Sequence, residues 1–161
     1  MKKLLIPSIF FMLLISFSFA QKPYKVVFYN LENFFDTIND PEVLDDEFTP
    51  DGPKKWNTAK YNKKLNNTER VLFDIAAIDK NYPIVIGVSE VETRGVLEDI
   101  VATPKLAPAN YRIAHFDSPE ARGVDVAFLY RPDVFKIEGQ YPVKTVIPSL
   151  PHFKTRDILT M

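Results

Sequence analysis

Apolar positions along the chain follow two rhythms. From Tyr24 to Leu31 (YKVVFYNL), β-branched and aromatic residues crowd together and predict a buried strand. From Asn57 to Asp79 the spacing changes. Tyr61, Leu65, Thr68, Leu72 and Ile75 recur at steps of four, three, four and three, which places them on one face of a helix. Asn57 or Thr58 caps its start. Lys60, Lys63, Lys64, Glu69 and Arg70 fall mostly off that face, so the simplest use of the helix is to cover a sheet. Pro83 to Val91 (PIVIGVSEV) is a continuous apolar run that suits a strand buried on both faces. A short helix is predicted at Gly95 to Val101, and strands at Tyr111 to Phe116 and Val124 to Tyr130. A strand or hairpin around Gly139 and Gln140 is predicted within Phe135 to Val146. Thr155 to Met161 reads as a strand that is beginning. Strand, loop, helix, strand, helix, then several strands is an α/β order that becomes β-rich.

The segment from Asn33 to Lys55 carries Asp36, Asp40, Glu42, Asp45, Asp46, Glu47 and Asp51, and Pro41, Pro50, Gly52 and Pro53 break any regular element. It reads as a solvated acidic loop. A calcium-binding surface module is the sharper alternative, but the acidic spacing does not match an EF-hand ladder.

The first twenty residues have a different pattern. Lys2 and Lys3 precede an uninterrupted apolar run from Ile9 to Ile15, and Ser18 and Ala20 set small residues before a cut ahead of Gln21. This is the layout of a secretory signal peptide, so residues 1–20 are expected to be removed and residues 21–161 to form one domain of an exported, periplasmic or extracellular protein. Pro7 and Ser8 interrupt the stretch, which is short of the roughly 20 residues of a spanning helix.

Composition narrows the chemistry. Hydrophobic residues make up 46% of the 161, enough for a core. There is no cysteine, which removes thiol nucleophiles and Cys-based zinc sites. Without Lys2 and Lys3 the chain has 18 basic and 21 acidic residues, a net charge of −3. That argues against a nonspecific electrostatic coat on nucleic acid. An enzyme that meets phosphate with divalent metal remains compatible.

Asn30 and Glu90 both lie at the carboxyl ends of apolar strands, where α/β sheets bind ligands, and Glu32 follows Asn30 closely. Two acids and an amide are hard oxygen donors that suit Mg²⁺ or Mn²⁺. On position alone, the equal alternative is that Glu90 pairs with a Lys or Arg and Asn30 caps a turn.

The segment Tyr29-Asn30-Leu31-Glu32-Asn33-Phe34-Phe35-Asp36 resembles the first motif of the endonuclease/exonuclease/phosphatase superfamily, and Gly87-Val88-Ser89-Glu90-Val91-Glu92 resembles the second. Arg122 to Arg131 (RGVDVAFLYR) and Thr155-Arg156-Asp157-Ile158-Leu159 resemble two further core strands. The loop Glu47 to Gly52, with Trp56 and Tyr61, is similar to an exported bacterial subgroup. The resemblance runs from Tyr24 onward and rests on four motifs in order. It implies a four-layer α/β/β/α sandwich that hydrolyses phosphate esters with Mg²⁺, Mn²⁺ or, less typically, Ca²⁺. It further implies Glu90 as metal ligand and Glu32 as a second one. Asn30 would orient a metal ligand or a phosphate oxygen, and Arg122 and Arg156 would contact phosphate. Asp125 and Asp157 are orienting groups in this scheme. Arg122 has an alternative as a salt bridge to Asp125 or Glu120, and Asp157 as a partner of Arg156.

Nucleic acid is the expected substrate, with sphingomyelin, other phospholipid or a small phosphate ester as alternatives. The family's later motifs, which hold a strand His, an Asp-x-Asn pair and a final Asp-His pair, have no counterpart here. His115 and His152 lack that context and read as structural or exposed. The chain is therefore expected to supply the N-terminal half of such a domain and to be inactive by itself. An inactive remnant or a non-catalytic exported binding protein is the competing reading.

Overall fold

The computed structural model describes residues 23–161, so the expected leader lies outside the described residues. Strand β1 (Val26–Phe34) is followed by helix α1 (Thr58–Ala77), strand β2 (Val85–Val91) and helix α2 (Arg94–Ala102). Strands β3 (Arg112–His115), β4 (Asp125–Tyr130), β5 (Tyr141–Val143) and β6 (Ile158–Thr160) complete the order. The α/β class expected from the element order is what the structure has.

Four strands form one sheet in the order β1-β2-β4-β3, with β1 and β2 parallel and the remaining pairs antiparallel. Because side chains alternate along a strand, the register sorts them onto two faces. Val27, Tyr29 and Leu31 share a face with Ile86, Val88, Ala127 and Leu129. Both helices cover this face. Leu72 from α1 and Val96, Leu97 and Ile100 from α2 join those strand residues in one buried cluster. The α1 face follows from its spacing, and its start follows from Asn57, whose side chain accepts the N–H of Lys60 at 3.1 Å.

On the other face, Phe28, Gly87 and Phe128 lie abreast. A Cβ on Gly87 would stand 3.2 Å from the Phe28 ring and 3.4 Å from the Phe128 ring, so glycine lets the two rings close over the backbone. The two-stranded β5–β6 sheet lies over part of this face, with Ile158 and Leu159 bordering a cleft beside Phe28 and Phe128. Phe28 is still 70% exposed.

Of the strand or hairpin expected around Gly139 and Gln140, the strand is present and the local hairpin is not. Only Tyr141–Val143 of that stretch is strand, and its partner is Ile158–Thr160. Pro142 has no N–H to give, and all of β5 is exposed, so the segment pairs along one short edge only. Strand β1 also runs on past Leu31 to Phe34, through an irregularity that shapes the site. No helix among the described residues is long and apolar enough to cross a membrane.

Candidate functional site

The parallel pair β1 and β2 ends at one edge of the sheet, and both strands break register there. The irregularity lies between Asn30 and Phe34 on β1 and between Ser89 and Val91 on β2. Bulges of this kind re-aim side chains, and they concentrate at functional sites. The backbone shows the cost. Glu32, Asn33 and Glu90 have φ of 54°, 59° and 61°. Asn tolerates this left-handed region, but two glutamates in it are uncommon, at about 1–3 kcal/mol each.

Hydrogen bonds hold the turn in place. The N–H of Glu32 donates to Asn30 Oδ1 at 2.8 Å, and the N–H of Asn33 donates to Glu90 Oε2 at 3.1 Å. At the same turn, Lys64 Nζ donates to the carbonyls of Glu32 at 2.6 Å and Asn33 at 3.3 Å. The two donors of the turn thus fix Asn30 and Glu90, and its two carbonyls are fixed by one ammonium. Lys64 is half-buried and lies over the rings of Phe34 and Trp56. Burial lowers its pKa, and the nearby Glu32 and Glu90 carboxylates oppose that fall.

Three expected residues come together here, and the arginines approach from separate elements. Arg156, two residues ahead of β6, brings its guanidinium to 3.8 Å from Glu90 Oε1. Arg122, in the β3–β4 connection, donates to Asn33 Oδ1 at 3.1 Å and pairs with Glu120 at 3.2 Å. Asp157 borders the cleft under β6 and makes no ion pair with Arg156, which faces Glu90 instead. Asp125 pairs across the ladder with Val91, next to Glu90, but its carboxylate is engaged elsewhere: it accepts the N–H of Ser118 at 2.9 Å and faces His115. His152 is exposed.

The donors present suit a hard divalent ion. Glu90 keeps Oε1 free of any hydrogen bond while Oε2 is held by Asn33, and the Glu32 carboxylate is exposed beside Asn30. A groove lined by Asn30, Glu32, Trp56, Lys60, Lys63 and Lys64 opens from this group. The acidic loop converges on no such arrangement. Asp36 and Asp40 accept N–H groups of their own turns, and the buried Asp45 accepts that of Asp40 at 2.9 Å.

Sequence reasoning missed Asn33 and Lys64. Asn33 stood inside a motif singled out for its neighbours, and its tolerance of positive φ was the available signal. Lys64 was placed off the buried helix face. It sits at the margin of that face and brings its ammonium over the Phe34 and Trp56 rings to reach the turn.

The profile of one protein family, described as Endonuclease/Exonuclease/phosphatase family, matches residues 25–161. No curated protein and no solved structure gives a match.

Proposed function

The chain belongs to the endonuclease/exonuclease/phosphatase family, whose members hydrolyse phosphate esters and generally depend on divalent metal, and we propose that it serves metal-dependent cleavage of phosphodiester bonds in nucleic acid. The observation that carries this reading is the paired bulge at the ends of β1 and β2. It gathers Asn30, Glu32 and Glu90 with cationic groups from three other segments.

Glu90, with Glu32 as second donor, would hold the ion, which when bound supplies a Lewis acid and a sink for charge on the phosphate. Asn30 borders the groove, and its side-chain oxygen is already fixed by the Glu32 N–H. Arg156 sits where a phosphate oxygen could exchange for Glu90 as its partner, and a guanidinium can grip two such oxygens. Arg122 reaches the same turn through Asn33. Asp125 orients Ser118 through its Oδ1, and Asp157, expected to orient a neighbour, borders the cleft under β6.

Nucleic acid is favoured over smaller esters by the groove beside Asn30. Lys60, Lys63 and Lys64 line it, and their positive charge suits a polyanionic backbone. The leader pattern of residues 1–20 supports export, which amino-terminal sequencing of the mature protein tests.

The decisive panel offers the full-length protein double-stranded DNA, single-stranded DNA, RNA, sphingomyelin and a phosphomonoester, each with Mg²⁺, with Mn²⁺ and with chelator. Metal-dependent cleavage of DNA or RNA is expected. Turnover of only sphingomyelin or the monoester would move the substrate assignment. No turnover of any ester would reject the catalytic reading in favour of a binding role.

A further inference from the structure

A second group of ligating side chains lies outside the strand-end site. His115 ends β3 and Asp125 begins β4. The antiparallel register sets His115 opposite Ala127, so Asp125 is its diagonal neighbour on the face covered by the helices. Asn30 projects from the other face. The side chains of His115 and Asp125 are each only 3% exposed.

Their chemistry is incomplete as it stands. His115 Nε2 lies 3.3 Å from Asp125 Oδ2, yet it is buried without a hydrogen-bond partner. Asp125 Oδ1 is occupied separately, by the N–H of Ser118 at 2.9 Å and by the Ser118 hydroxyl. Oδ2 is therefore left to His115. A ring nitrogen and a carboxylate oxygen this close, both shielded from water, need positive charge between them. A proton on Nε2 would do, but the ring N–H is not aligned on the oxygen. A cation fits the spacing. Two donors at about 2.0–2.1 Å from a tetrahedral ion stand about 3.3–3.4 Å apart. Asp117 completes the set, since one ligand atom from each of His115, Asp117 and Asp125 lies within 4.8 Å of the others.

We propose that His115, Asp117 and Asp125 bind a zinc-class divalent cation at a site separate from the Glu90 group. One imidazole with two carboxylates favours Zn²⁺, Co²⁺ or Mn²⁺ over Mg²⁺ and Ca²⁺, which prefer oxygen throughout. Asp117 is exposed, so water completes the coordination. His115 and Asp125 flank the connection between β3 and β4, and Asp117 lies within it, as does Arg122. The ion would clamp that connection and so fix the reach of Arg122 to Asn33.

The test uses full-length protein stripped with chelator, in a Glu90→Gln background that weakens the strand-end site. Zn²⁺ is titrated by calorimetry, and Co²⁺ is followed by its visible absorption. One Zn²⁺ per chain is expected, not displaced by excess Mg²⁺. Loss of even an outer-shell partner costs about 10–100-fold in metal affinity. Asp117→Asn should therefore weaken binding at least about tenfold, and His115→Gln should abolish the Co²⁺ spectrum. Asp117 is on the surface, so that variant should fold even if the His115 variant does not. No Zn²⁺ binding in the Glu90→Gln background would overturn the proposal. So would binding indifferent to Asp117→Asn, or a ¹⁵N spectrum in which His115 Nε2 keeps its proton in saturating Zn²⁺.

Discussion

Glu92, just past the end of β2, makes stability depend on pH in an unusual direction for an acid. It is only 7% exposed. Burial, chiefly, and the neighbouring Asp36 and Asp45 carboxylates push its carboxyl up to about 8, against a pull downward from the Asp36 N–H that it accepts at 2.6 Å. A proton on Glu92 also gives the buried Asp45 Oδ1 the donor it otherwise lacks. The unfolded chain titrates this group near 4.5, so the folded chain binds the proton more tightly. The resulting stability is complete below pH 4.5 and is lost as pH rises toward 8. At about 1.4 kcal/mol per pH unit, the displacement amounts to about 5 kcal/mol. A typical domain has about 5–15 kcal/mol in total, so the effect is measurable.

Glu92→Gln keeps the shape, stays neutral, and offers an oxygen to the Asp36 N–H and an N–H to Asp45. Urea unfolding of the full-length protein at pH 5, 7 and 9 is the assay. The two proteins should agree within about 1 kcal/mol at pH 5. At pH 9 the variant should be several kcal/mol more stable, because a buried glutamate must ionise in the wild type. Parallel stability profiles for wild type and variant across this range would refute the reasoning.

Lys64→Met removes the ammonium from two carbonyls of a strained turn. A charge-assisted hydrogen bond contributes about 1.5–3 kcal/mol, so phosphodiester hydrolysis should fall about tenfold or more, with partial recovery in Lys64→Arg. Steady-state rates of the two variants decide this. Leu97→Ala, at a fully buried position beneath the sheet, should cost about 2–5 kcal/mol in denaturant unfolding. Asn57→Ala deletes the side chain that caps α1 and should cost about 1 kcal/mol in the same assay.

The parts legible in the sequence are those fixed by periodicity and local chemistry. Helix α1 declared itself through its apolar spacing and its Asn57 cap, and β2 through an unbroken apolar run that the structure buries at Val85, Ile86, Gly87 and Val88. What escaped depends on register between distant segments. The left-handed backbone at Glu32, Asn33 and Glu90 arises from two strands slipping together, and neither strand encodes it alone. Strand β5 pairs with residues fifteen to nineteen positions later, so its own sequence left a strand and a local hairpin equally open. His115 read as an isolated histidine in an apolar stretch. Its partner Asp125 becomes visible only when the β3–β4 register puts both on one face. Lys64 was sorted by helical angle, whereas its reach depends on the length of its stem.

The central claim is that Glu90, held by Asn33 at the paired bulge, is indispensable to metal-dependent phosphodiester cleavage. Its most direct test compares wild type and Glu90→Ala in the full-length protein, on a DNA or RNA substrate, across a Mg²⁺ titration. The account predicts a loss of at least about 100-fold in turnover at saturating metal, the scale of removing a central transition-state contact. Turnover by Glu90→Ala equal to wild type, with the same metal dependence, would contradict it.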